Sequence, residues 1–287
     1  MFELLLNPKK AERKPWELLF VGLFYGIVSL LLVEWVFAGD VVLSKYSGIF
    51  LVTFTVMFSI PFVYYTIRFE ENKISFKQGT IALLKEHSKA LSAFLWLFLG
   101  FVIAFALGYL LFASPNSFKA QIETYCLINR PLNLQECVAQ HSNGGDSLAP
   151  TAFVTNPQKR LLIIFTNNIY VLIFTLIFSL IFGAGVIFIL SWNASVIAAA
   201  IGIYTNQHIS LLPLGLLRYL LHGIPEIASY FIVALSGGLI SISTIKHEIG
   251  TERFWEVLQD SLNLIILSIV VLFLAALLEV YITPVIF

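Results

Sequence analysis

Charge is scarce in this chain. Asp, Glu, Lys and Arg make up 12% of its 287 residues, about half of the roughly 25% usual in a soluble domain. That scarcity excludes an ordinary water-soluble fold. No dense Lys/Arg patch is present, which excludes a nucleic-acid surface. Cysteine is scarcer still, with only Cys126 and Cys137, so no Cys-x-x-Cys pair exists to hold zinc or run thiol exchange. A glycine-rich phosphate loop and a Ser–His–Asp order are both missing, and with them the common motifs of nucleotide binding and acyl transfer. Regular alternation of apolar and polar residues is missing as well, which excludes an outer-membrane β-barrel. Net charge is zero, so the total points to no charged partner.

What the chain has in quantity is hydrocarbon. Hydrophobic residues make up 59% of it, and the mean hydropathy is +0.89. Several uncharged runs exceed the ~20 residues that cross a bilayer core. The fold class predicted is all-α: a polytopic helical membrane protein with six to seven transmembrane helices, including a re-entrant or broken pair. The expected location is the cell membrane, with the lipid bilayer as first partner. Lys9, Lys10, Arg13 and Lys14 precede the first apolar run, which puts the N-terminus in the cytoplasm by the positive-inside rule. That run is too long, and lacks a small-residue cleavage site, to read as a signal peptide.

The predicted spans begin with 17–38 and 47–67. Residues 68–90 form a cytoplasmic amphipathic elbow leading into span three, 91–113. Residues 114–160 are the one long polar segment and fall outside. Cys126 and Cys137 lie in it and are expected to pair as a disulfide. From Leu161 to Tyr204 the chain is apolar almost throughout, too long for one upright span. Two turns compete there. "FGAG" (182–185) has no polar residue; "SWNAS" (191–195) does, and is the better candidate. The expectation is a span over 161–190, then a re-entrant hairpin with arms 194–204 and 211–221 and "TNQHIS" at its tip. Spans 224–245 and 261–284 follow, separated by a surface helix carrying Phe254, Trp255 and Leu258. The chain thus divides into N-terminal helices with the elbow (1–90), span three with the disulfide loop (91–160), and a core (161–287).

Charged groups inside a bilayer cost about 2.5–3.5 kcal/mol each and usually find a partner within the bundle. The candidates are Glu34, Arg218, His222, Glu226 and Glu279, with Asn167, Asn168 and Asn193 as neutral company. Arg218, His222 and Glu226 are spaced four apart and would share a stripe on an unbroken helix. Pro225 and Gly223 argue instead for a junction at "HGIPE", with one helix ending near His222 and another starting near Pro225. Asn193, Arg218, His222, Glu226 and Glu279 are expected to converge at one depth, on the cytoplasmic side, with Arg218 neutralising a carboxylate.

Four motifs occur in order: "TNN" opening an apolar run (Asn167, Asn168), "WNAS" with Asn193, "HGIPE" with His222, Gly223 and Glu226, and "LEVYITP" with Glu279 and Pro284. Over about 160–287 they resemble the stage II sporulation protein M family. The chain departs from that pattern at Leu221, where the family has Pro, and at Ala194, where it has Gly. The resemblance implies an integral membrane protein without established enzymatic activity, and no cofactor is expected. Its sporulating members work with wall-degrading protein partners during engulfment. Related proteins occur in organisms that do not sporulate, so only the membrane role carries over.

Three functions fit this reading. The first is a non-enzymatic membrane scaffold or remodelling component with membrane or extracytoplasmic protein partners, or self-association. The second is a transporter or channel using the polar cluster. The third is an intramembrane metalloprotein at His222 and Glu226, although the spacing lacks the second His of H-E-x-x-H. An open cavity reaching Glu226 would favour the second, a bound metal at His222 the third, and a sealed cluster the first.

Overall fold

A computed structural model of the chain describes residues 13–37, 39–71, 80–112, 115–129, 133–142, 156–182, 186–205, 208–245 and 249–287. Lys9 and Lys10, the polar part of the elbow, Gly183 and Gly185 lie outside the described residues. The helices are α1 (Leu18–Phe37), α2 (Ser47–Glu71), α3 (Thr80–Phe112), α4 (Lys119–Asn129), α5 (Leu134–Ser142), α6 (Pro157–Phe182), α7 (Val186–Thr205), α8 (Leu212–Ile245) and α9 (Glu252–Leu277). A π-helical turn, Leu278–Ile282, joins α9 to a last short helix α10, Thr283–Ile286. Among the described residues, seven helical segments are long and apolar enough to cross a membrane. The protein is a helical membrane protein.

The helices form because their residues are apolar and their few polar side chains are satisfied locally. Ser29 donates to the Tyr25 carbonyl at 2.8 Å, Thr55 to Leu51 at 2.8 Å, Ser59 to Thr55 at 2.7 Å and Thr66 to Phe62 at 2.8 Å. Each of these hydroxyls is buried, and each would otherwise be stranded in a medium without water. Backbones approach closely where small residues face each other, as between membrane helices generally. α1 crosses α3 at Gly22 and Gly100, and a Cβ on Gly100 would stand 2.9 Å from Gly22 Cα. α6 meets α8 at Gly237, where a Cβ would stand 2.9 Å from Ser179 Cβ. Ser236 and Ser261 join α8 to α9, each hydroxyl donating to the other's carbonyl at 2.9 and 3.3 Å. α7 and α8 are the most enclosed spans, while α6 and α9 lie outermost.

Several expected boundaries move. "SWNAS" is no turn: residues 191–195 sit inside α7. Asn193 donates to the Ile189 carbonyl at 2.8 Å and Ser195 to Trp192 at 2.8 Å, so the helix itself absorbs their polarity. α6 ends at Phe182 and α7 begins at Val186, and the residues between them lie outside those described. The re-entrant hairpin is accordingly replaced by two spanning-length segments, Val186–Thr205 and Ile209–Ile245. "HGIPE" is no junction either, because Pro225 lies within α8. Proline there removes one donor, for the carbonyl four residues back, a loss that spans tolerate when neighbouring helices pack around it. The elbow is not a separate helix from Thr80 onward; it runs straight into span three as one helix of 33 residues, roughly 50 Å long. From Glu252 the expected surface helix is likewise continuous with the last span. Gly250 adopts a φ of 88°, a turn conformation that favours glycine. Thr251 then caps α9 by accepting from the Phe254 N–H at 3.2 Å.

Candidate functional site

α6 and α7 follow each other in the chain yet pack mainly on other helices. Between them lies a cavity of about 650 Å³. Asn167, Asn168, Asn193, His222, Gly223, Glu226 and Glu279 all line it. Thr124, Tyr125, Leu127 and Ile128 of α4 line it too, so the cavity opens beneath the disulfide loop. This corrects the expected depth. The polar residues share a cavity with α4 of the loop segment, because α7 and α8 each replace half of a hairpin with a full segment.

The pairing of α8 with the end of the chain explains the convergence. Arg218 donates to the Phe287 carbonyl at 3.3 Å, and Thr283 Oγ1 lies 3.4 Å from His222 Nδ1. These antiparallel contacts step by four residues on each side. One further turn brings Glu226 level with Glu279. The stripe Arg218–His222–Glu226 is therefore real, and it is matched by Phe287, Thr283 and Glu279 on the opposing segment.

The individual environments differ. Glu226 is half-buried and accepts from the Tyr230 hydroxyl at 2.9 Å. Tyr230 is fully buried. Glu279 sits in the π-helical turn, a distortion frequent at functional positions. That turn is satisfied locally. Thr283 donates to the Leu278 carbonyl through both its N–H and its hydroxyl, the latter at 3.1 Å. Pro284, which follows, opens the last short helix and is exposed. Gly223 is not demanded by packing, since a Cβ there would meet only Ile197 Cδ1 at 3.6 Å. A larger side chain would instead take cavity space.

Arg218 departs from expectation. It does not line the cavity, and among the described residues it forms no ion pair with Glu226 or Glu279. Its guanidinium lies 4.8 Å from the centre of the Tyr204 ring, a cation–π contact, and it reaches the chain's last carbonyl. Being two turns from Glu226 on the same helix places it beyond reach. Glu34 is also apart; it accepts from Ser117 in the loop. Among the described residues no three of His, Cys, Asp and Glu are grouped closely enough to hold a metal ion.

The loop is fastened to the bundle. Cys126 and Cys137 form a disulfide linking α4 to α5. Gln121, fully buried, donates to the Gly48 carbonyl at 2.9 Å and to Ser195 Oγ at 3.1 Å. Sequence reasoning missed Gln121, Tyr219 and Trp192. Trp192 adjoins Asn193 and could have been suspected. Gln121 lies in a polar segment that looks solvent-exposed, and nothing local marks it.

The profile of the stage II sporulation protein M family matches residues 93–284. This chain belongs to that family. The match begins well before the resemblance at 160, taking in span three and the disulfide loop with the cavity. A similar protein is an uncharacterised one from Methanocaldococcus jannaschii, 31% identical over 137 residues that cover 46% of this chain and 75% of that protein. No solved structure matches the chain. The cavity liners from Thr124 to Glu279 all fall within the part of this sporulation-protein-M relative that the family profile covers.

Proposed function

We propose that this family member is a non-enzymatic membrane scaffold that seats part of a protein partner in the polar cavity, from the side of the disulfide loop. The observation that supports this reading is that the cavity joins polar groups of α6, α7 and α8 to α4 of the disulfide-loop segment. Its lining on α8 stops at Glu226 and includes nothing from α1 or α2. Beyond it Tyr230, Phe231 and Val233 are buried. A cavity lined in this way can hold a ligand, whereas conduction needs a continuous path across the membrane. His222 faces Thr283, whose hydroxyl is already given to a backbone carbonyl, rather than an activated nucleophile. With the N-terminus in the cytoplasm, as its basic residues favour, seven crossings would turn the cavity outward.

Transport is the second reading. It draws support from two carboxylates at one depth inside a bundle, a common feature of ion pathways. The experiment separates the two. A photo-crosslinking residue replacing Tyr170 or Trp192, both lining the cavity, is expected to give a discrete protein adduct in native membranes. Gly223→Leu should remove that adduct by filling the cavity. The same crosslinker at Ile266, exposed on α9, is the control. Cation or proton flux through the purified protein in sealed vesicles, lost in Gly223→Leu, would overturn the scaffold in favour of transport.

A further inference from the structure

Building on the scaffold reading, we infer that the group seated in the cavity is a primary ammonium with a carbonyl beside it, the chemistry of a peptide N-terminus or an amino-acid amide. The cavity is a collection of acceptors. Glu279 accepts no hydrogen bond among the described residues, and Glu226 accepts only from Tyr230. Asn193 spends its amide nitrogen on the Ile189 carbonyl, and Asn167 spends its own on Asn168 Oδ1 at 3.4 Å, which leaves both of their oxygens for a donor. Among the described residues no Lys or Arg lines the cavity, and neither carboxylate forms an ion pair with one. An ammonium supplies both the missing charge and three donors.

A second feature specifies what stands next to the ammonium. Asn168 is 7% exposed and lines the cavity. Its oxygen accepts from Asn167, while its amide nitrogen has no partner among the described residues. An amide donor at the cavity wall beside a set of acceptors fits a ligand with an acceptor adjacent to its cationic end. A metal ion fits less well, since among the described residues no three of His, Cys, Asp and Glu are grouped to hold one. The space also continues outward. A second hollow between α4 and α5 shares Thr124, Leu127 and Trp192 with the cavity, offering a path for the rest of a peptide entering by its N-terminus.

The test uses the full chain in detergent, with the thermal unfolding midpoint as the measure of binding. Glycinamide and trialanine amide should both raise the midpoint, and N-acetyl-trialanine amide should not. Glu226→Gln and Glu279→Gln should each weaken the effect by about tenfold or more, the usual worth of a charged hydrogen bond. Glu136→Gln, on exposed α5, should leave it unchanged. If either cavity variant fails to fold, the free and acetylated probes on the unaltered chain decide alone. Tighter binding of trialanine amide than of glycinamide assigns a peptide that uses the outer hollow; equal binding assigns a small free amine. Equal stabilisation by acetylated and free peptide, or none by any probe, would overturn the inference. The outcomes separate from those above. Partner crosslinks without amine binding leave the scaffold standing and sink the ammonium. Amine binding accompanied by flux does the reverse.

Discussion

Replacing Gly100 by Ala puts a methyl group into the tightest helix crossing of the bundle. Its Cβ would lie 2.7 Å from Leu23 N and 2.9 Å from Gly22 Cα, with the Leu19 carbonyl oxygen nearer still. All three are backbone atoms, so no rotamer change relieves them. Restoring ordinary contact at 3.4 Å with the Leu19 oxygen needs α1 and α3 to separate by about 1 Å, a gap that forfeits a quarter to a half of each dispersion contact along the seam. Overpacking of this kind costs about 1–3 kcal/mol, and the backbone clash places it at the upper end. Alanine returns about 1 kcal/mol through better helix propensity. The net expectation is a loss of about 1–2 kcal/mol, a factor of roughly 5–30 in the folded-to-unfolded ratio. Reversible unfolding in mixed micelles would measure it. Gly39→Ala is the control, because nothing lies within 4 Å of a Cβ there, and should stay within about 0.5 kcal/mol of the parent. Gly22→Ala combined with Gly100→Ala should cost less than the two singly, since one separation serves both. Equal stability of Gly100→Ala and Gly39→Ala would refute the crossing.

Seven crossings place the two termini on opposite sides of the membrane, so terminal tags should differ in their access to a membrane-impermeant protease; equal access would mean that one segment does not cross. Cys126 and Cys137 should react with an impermeant maleimide only after reduction, from the same side as a C-terminal tag; labelling without reductant would remove the disulfide. Asp40 lies outside the spans and accepts from the N–H groups of Val42 and Leu43, both at 2.8 Å, which hold its carboxyl below the usual carboxylate range. Because the folded value is depressed, its contribution to stability is present above the unfolded value and is lost as pH falls through the folded one. Asp40→Asn should flatten that acid-side dependence, and an unchanged profile would show that the turn does not hold the charge.

Glu226 and Glu279 illustrate what sequence could and could not say about the site. Their rarity in apolar surroundings marked them as candidates for a role, but the stripe that the four-residue spacing of Arg218, His222 and Glu226 allowed was set aside for a junction at Pro225, which α8 does not form. The partner of Arg218 was not legible. A guanidinium on a flexible stem goes to whatever acceptor or ring is near, and Tyr204 and Phe287 become neighbours only once α7, α8 and the chain's end are packed. The turn was misjudged because polar residues were taken to require the interface. Asn193 and Ser195 instead spend their donors on their own helix, which local sequence permits but does not announce.

The sequence by itself determined the membrane, the helices, the disulfide loop and the family, since each follows from hydrophobic length, scarce charge and short ordered motifs. Only the tertiary structure decided where the polar residues face. α6 and α7 splay, α8 stays continuous through Pro225, and α4 is drawn in by Gln121. These long-range contacts set the depth and the lining of the cavity, because a residue's depth in a bundle depends on which helices cross and how they slide against one another, and no local pattern encodes that register.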